Sequence, residues 1–122
     1  MNIMEKSENV MVDIELSELL GKVTEMKSRK YRIAQICCSD NDGKFFIYYS
    51  FGSKFGYKME TLKVCCDKDA KIPSVTTIYP YAYLYENEMK ELFGMNIEKI
   101  SVDYNNRLYR IEKEAPFRKE DK

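Results

Sequence analysis

The stretch Tyr31-Arg32-Ile33-Ala34-Gln35-Ile36-Cys37-Cys38-Ser39-Asp40-Asn41-Asp42-Gly43-Lys44-Phe45-Phe46-Ile47-Tyr48-Tyr49-Ser50-Phe51 decides the fold. Its centre, Asp40-Asn41-Asp42-Gly43, is a turn, because Asn, Asp and Gly tolerate positive φ. Tyr31 to Ser39 takes apolar bulk from Ile33, Ile36 and a cysteine pair, and Lys44 to Phe51 is rich in β-formers. Residues 31–51 therefore read as a β-hairpin, which commits this part of the sheet to antiparallel pairing. Asp40 and Asp42 also resemble the start of a calcium loop. That reading fails at Lys44, where an oxygen ligand is needed, and at Phe51, where the closing glutamate would stand.

Upstream, Val10, Val12, Ile14 and Leu16 alternate with Met11, Asp13 and Glu15, the pattern of a half-buried strand. Ser17 stands where a helix N-cap belongs, and Leu19, Leu20, Val23 and Met26 follow at helical spacing. Lys27, Arg29 and Lys30 suit the negative end of the dipole, so the helix spans Ser17 to Arg29. Downstream, Gly52 to Gly56 is a loop, Tyr57 to Cys66 a strand and Asp67 to Lys71 a polar turn. Pro73 and Pro80 bracket an irregular connector. The helix Pro80 to Phe93 has an apolar face of Ala82, Tyr85, Met89, Leu92 and Phe93; Glu86, Lys90 and Glu91 are assigned to the other side. Gly94 is its C-terminal stop. Glu98 to Tyr104 reads as a last strand. The order β-α-β-β-β-α-β gives an α+β domain: a mostly antiparallel sheet of four to five strands with two main helices on one face. Residues 1–9 read as a flexible N-terminus, 10–111 as the domain and 112–122 as a charged, disordered tail.

The chain has 122 residues, enough for one core without disulfides or metal staples. Twenty Lys and Arg balance twenty Asp and Glu, and there is no histidine. Zero net charge argues against a nucleic-acid partner held by phosphate contacts. Without histidine there is no Ser-His or Cys-His catalytic pair and no His-ligated metal. Little charge repulsion opposes association, which suits a piece of a larger assembly. The first residues lack the apolar core of a secretory signal, and no run approaches the roughly twenty apolar residues of a membrane helix. The expectation is a cytoplasmic protein that meets a membrane only through a partner.

The four cysteines form two adjacent pairs, Cys37-Cys38 and Cys65-Cys66. Neighbours on a strand point to opposite faces, so a vicinal pair does not aim both sulfurs at one metal. One cysteine from each pair can still meet across strands. Buried packing is the plain reading; a thiol-redox or metal-sensing protein built on Cys37, Cys38, Cys65 and Cys66 is the competing function. The ten tyrosines suit core and interface packing, with stacking on single-stranded nucleic acid as a weaker possibility. Tyr79, Tyr81, Tyr83 and Tyr85 spread around a helix axis, so some must be exposed unless a partner covers them. Glu86 and Glu88, two apart on a helix, diverge by about 200° and do not act on one substrate atom together.

Residues 72–95, IPSVTTIYPYAYLYENEMKELFGM, resemble the signature of the respiratory Complex I 30 kDa subunit family. Pro73, Ser74 and Thr76 match its start, Glu86 and Glu88 its two glutamates, and Phe93 and Gly94 its Phe-Gly step. The resemblance spans about residues 10 to 111 and is specific over 72–95. Asn87 replaces an arginine, Glu91 an aspartate and Met95 an isoleucine; the Gly-His-Pro step is missing. With these departures the chain is most similar to the small homologous subunit, lettered D, of Ech-type energy-converting nickel-iron hydrogenases.

The resemblance implies a structural subunit without catalytic or metal residues and without a cofactor of its own. The nickel-iron centre and iron-sulfur clusters would lie in partners: a large hydrogenase-like subunit, related to the Complex I 49 kDa subunit, and iron-sulfur subunits. The complex would pass electrons from reduced ferredoxin to protons at the cytoplasmic face of the membrane. The implied partner contacts are Pro73, Ser74, Thr76, Glu86, Glu88, Phe93, Gly94, Arg107 and Arg110.

Overall fold

The computed structural model describes residues 8–53 and 58–100. The hairpin is present as read: β2 (Arg32–Asn41) pairs antiparallel with β3 (Lys44–Gly52), Asn41 opposite Lys44. The two residues between them, Asp42 and Gly43, have φ of 52° and 77°. Positive φ at both positions is what a two-residue hairpin turn needs to match strand twist. β4 (Lys58–Asp67) continues the meander, antiparallel to β3.

The first strand departs from the expected pairing. β1 (Glu8–Ile14) lies parallel to β4, with Val12 opposite Leu62, so the sheet order is β1-β4-β3-β2 and the sheet is mixed. The cause is α1 (Leu19–Ser28), which carries the chain back to the end from which β1 started. β1 and β2 consequently run the same way, and β1 takes the open edge of β4. α1 begins through a short 3-10 turn, Leu16–Glu18, and its cap position is Glu15. Glu15 N–H donates to Glu18 Oε1 at 2.9 Å, so the expected Ser17 cap is replaced by a capping contact two residues earlier.

The last elements form a second parallel unit. β5 (Lys71–Pro73) and β6 (Asn96–Glu98) flank α2 (Tyr83–Phe93), with Ile72 opposite Ile97. The final strand thus starts two residues before the expected Glu98 and pairs with β5, outside the main sheet. Gly94 ends α2 in the left-handed region, φ 69° and ψ 30°, as a C-terminal glycine should. Its N–H donates to Lys90 O.

One core joins both helices to one face of the sheet. Leu19, Val23 and Met26 of α1 and Met89 of α2 bury against Phe45, Ile47, Tyr49 and Phe51 of β3 and Leu62 and Val64 of β4. Each fully buried side chain of this size contributes roughly 1.5–3 kcal/mol. At the sheet end, Asp40 and Lys68 form a buried ion pair at 3.0 Å. Among the described residues, no helix is long and apolar enough to cross a membrane. Residues 1–7 of the expected N-terminus 1–9, residues 101–111 of the expected domain, with Arg107 and Arg110, and the expected tail 112–122 lie outside the described residues.

Candidate partner-docking site

The signature segment folds as a connector, a 3-10 turn at Pro80–Ala82, and then α2. Proline opens the turn because its missing N–H is an orphan there in any case. Ala82, Glu86, Met89 and Phe93 follow one another at spacings of three and four, so they share one stripe of the helix. A carboxylate therefore enters the apolar side. Glu86 is fully buried, and Asn87 and Glu91, about 100° and 140° away around the helix, are buried as well. This corrects the assignment of Glu86 and Glu91 to the solvated side: for Glu86 the helical period sets the face, whereas Glu91 lies off that stripe and is covered by the rest of the fold.

The connector supplies what a buried carboxylate requires. Ser74 Oγ donates to Glu86 Oε1 at 2.6 Å, and Val75 N–H donates to Oε2 at 2.8 Å. Thr76 N–H donates to Ser74 Oγ at 3.1 Å, and the Ser74 and Thr76 hydroxyls lie 2.6 Å apart. Ser74, Val75, Thr76 and Glu86 thus form one internal latch between the connector and α2, directly after Pro73, the half-buried last residue of β5. Burial pushes the Glu86 carboxyl up to about 7, while the Ser74 and Val75 bonds pull it down. Tyr49, fully buried, has no hydrogen-bond partner for its hydroxyl among the described residues. Burial and then the nearby Glu86 charge push its phenol well up.

Glu88 diverges from Glu86 as helical geometry requires. It lies half-buried in an open groove of about 300 Å³ between α2 and β2. Phe93 faces the same groove and packs edge-on against Phe45, ring centroids 6.2 Å apart. Tyr85 Oη donates to Ala34 O across it at 3.3 Å. Asn87, buried, donates from Nδ2 to Tyr83 O at 2.8 Å. On the outer side Tyr81 is 73% exposed and Leu84 48%. Sequence reading missed Val75 and Tyr49; the Ser-x-Thr spacing is the signal for a local side-chain-to-backbone knot.

The thiol reading finds no support in this geometry. β3 runs between β2 and β4, so the cysteine pairs stand two strands apart, about 10 Å. That exceeds the roughly 7 Å Cα limit for a disulfide. Cys37 and Cys65 are exposed; Cys38 is half-buried and Cys66 buried. Burial pushes the Cys38 thiol far up and Cys66 up to about 11, which keeps both protonated. Among the described residues, no group of three or more Cys, Asp or Glu side chains is placed to hold a metal. Among the described residues the tyrosine rings form no open stacking platform: Tyr49 and Tyr79 are buried, Tyr31, Tyr48, Tyr83 and Tyr85 half-buried, and Tyr81 alone is exposed.

Comparison with known proteins matches this arrangement to one family. A family model of the respiratory-chain NADH dehydrogenase 30 kDa subunit covers residues 12–122. The NADH-quinone oxidoreductase subunit lettered C from Ruegeria pomeroyi is 29% identical over 79 residues, 60% of this chain and 40% of that protein. Its counterpart from Bartonella bacilliformis is 30% identical over 81 residues, covering 62% and 40%. That of Phenylobacterium zucineum is 28% identical over 95 residues, covering 70% and 46%. The chain therefore spans less than half the length of these relatives. A chain of the membrane-bound sulfane sulfur reductase, an archaeal respiratory membrane complex, shares the fold with a TM-score of 0.74 at 20% identity, over 93% of this chain and 76% of that one. With the latch, the capped helix and all of the mixed sheet but the first four residues of β1 inside the matched span, the chain belongs to the respiratory-chain NADH dehydrogenase 30 kDa subunit family.

Proposed function

We propose that the chain is a non-catalytic structural subunit of a Complex I-like membrane oxidoreductase, docked beside its large catalytic subunit. The observation that carries this reading is the outer side of the signature segment, where Tyr81 is 73% and Leu84 48% exposed. Large apolar side chains presented together from a latched helix suit a protein interface. The branch is the energy-converting nickel-iron hydrogenase, passing electrons from reduced ferredoxin to protons at the cytoplasmic face of the membrane. The cofactors, a nickel-iron centre and iron-sulfur clusters, sit in the partner subunits. What supports this branch is the set of departures from the Complex I signature at Asn87, Glu91 and Met95; Asn87 is buried and donates to Tyr83 O.

The test is co-expression of the tagged chain with a large nickel-iron-type subunit and the iron-sulfur subunits that would carry electrons to it. Co-purification, and hydrogen evolution from reduced ferredoxin by the purified complex, are expected. Tyr81→Asp with Leu84→Asp should cut capture at least tenfold at an unchanged Tm. A wild-type chain that retains no large subunit refutes the reading, and membranes that reduce quinone but evolve no hydrogen refute the branch.

A further inference from the structure

The exposed surface at the start of α2 continues onto a neighbouring corner of the fold. Tyr79, just before the 3-10 turn, donates from Oη to Tyr31 O at 2.5 Å, and Tyr85 Oη donates to Ala34 O at 3.3 Å. These two bonds lay the start of β2 alongside the segment that carries Tyr81 and Leu84. α1 ends at the same corner. Lys30 N–H donates to Lys27 O and Tyr31 N–H to Met26 O, both at 3.0 Å, with Lys30 in the left-handed region at φ 63°. This pair of C-terminal bonds closes the helix and feeds the chain directly into β2. Lys27 Nζ lies 4.9 Å from the centre of the Tyr79 ring, so the end of α1 touches the approach to α2.

The corner is basic. Lys27, Arg29, Lys30 and Arg32 are exposed, and no acidic residue occurs between Met26 and Ser39. Arg29 is engaged within the fold, by Glu60 at 3.1 Å and by Tyr31 Oη at 3.0 Å. Among the described residues Lys27, Lys30 and Arg32 form no ion pair. The whole chain has zero net charge, so three outward cations here are a local excess.

We infer that Lys27, Lys30 and Arg32 are the charged rim of the docking surface and meet an acidic patch on the large partner subunit. The inference rests on the docking reading above and adds the chemistry of the partner's face: an apolar recess for Tyr81 and Leu84, bordered by carboxylates. An apolar centre with a polar rim is the ordinary anatomy of a protein interface. Two other anionic partners fit less well. Recognition of an anionic membrane surface draws on clusters of about four to eight cations, and three fall short. Nucleic-acid binding through phosphates draws on a domain-wide basic excess, which a chain of zero net charge lacks. Rim charges act mainly on the rate of encounter and its salt dependence, whereas buried anchors act on dissociation.

Association and dissociation rates of the full-length chain with the large subunit, measured at about 50 and about 500 mM salt, test it. The association rate should fall at least tenfold between the two. Lys30→Glu with Arg32→Glu should lower it at least tenfold at the lower salt and flatten the salt dependence, with dissociation changed less than twofold. If that variant fails to fold, Lys30→Gln with Arg32→Gln replaces it, with a loss of at least threefold expected. A complex whose association ignores salt overturns the rim and leaves the docking reading intact. Salt-dependent association that the substitutions leave unchanged places the charged contact elsewhere and overturns the inference as well. Failure to form any complex at either salt overturns both readings. The chain alone is also tested against vesicles of phosphatidylcholine and phosphatidylserine in equal parts and against a single-stranded RNA oligonucleotide. Binding to either that the substitutions abolish assigns the corner to lipid or nucleic acid and overturns the inference.

Discussion

Glu86 makes the stability of this protein fall as pH rises through neutrality. Its carboxyl is raised from the ordinary 4.5 to about 7 by burial. The folded state therefore binds a proton that the unfolded state has already released between those values, and stability declines with pH across them. At about 1.4 kcal/mol per pH unit, the full effect is about 3 kcal/mol, of which about 2.5 falls between pH 5 and 8. The contribution is fully present below pH 4.5 and gone above 7. The chain has no histidine, so nothing of that type titrates in the window. Asp67, held low by Lys44 at 2.8 Å, titrates below it.

Urea unfolding followed by tyrosine fluorescence and circular dichroism at half-unit steps from pH 5 to 8 gives the profile. Glu86→Gln is the reference, because its amide is accommodated by the same latch. The glutamine oxygen accepts from Val75 N–H, and its NH2 donates to Ser74 Oγ once the Ser74 hydroxyl turns toward Thr76 Oγ1, 2.6 Å away. The wild-type curve should lose about 2.5 kcal/mol relative to the variant across the window, or roughly 10 °C in Tm for a chain of this size. Parallel curves for the two proteins would refute the buried-carboxylate account.

The other predictions concern single positions. Gly94→Ala forces a side chain into φ 69° and should cost about 1 kcal/mol in thermal unfolding. Asp40→Ala alone should cost about 3–5 kcal/mol by stranding Lys68 in the interior, whereas Asp40→Leu with Lys68→Met should restore most of that loss, measured by urea denaturation. In the native protein a disulfide-exchange reagent at pH 8 should titrate Cys37 and Cys65 quickly and Cys38 and Cys66 only on the unfolding timescale; four equal rates would contradict the burial assigned to the inner pair.

Where the sequence was legible, the determining chemistry was local. The hairpin followed from Asp42 and Gly43, whose positive φ a two-residue turn requires, and the end of α2 from Gly94. The pairing of β1 was not legible in the same way. Alternation at Val10, Val12 and Ile14 says which side chains face inward but not which strand lies alongside; that is set by the path of α1 over the sheet. Glu86 was misplaced for a different reason. Its position, four after Ala82 and three before Met89, already put it on the buried stripe, and its charge was allowed to outweigh the angle. The missing half of the argument was its partner: Ser74 and Thr76, far along the chain from the helix, cannot be recognised as a carboxylate cradle until the connector is folded.

The latch also explains how a short helix presents a docking surface without help from its own surface. Ser74 N–H donates to Glu98 O at 3.0 Å, Ile72 lies opposite Ile97, and Ser74 and Val75 hold Glu86 near the start of α2. The two ends of the unit are thus tied to each other, and its middle is tied to the connector. A partner that meets Tyr81 and Leu84 finds them already ordered. It then avoids much of the roughly 0.5–1.5 kcal/mol per side chain that ordering on binding would cost. The burial of a carboxylate, unfavourable in itself above neutral pH, is in this view the local expense of holding an interface rigid. Two glutamates two residues apart differ accordingly: Glu86 fixes the helix from inside, and Glu88 lines the groove between α2 and β2.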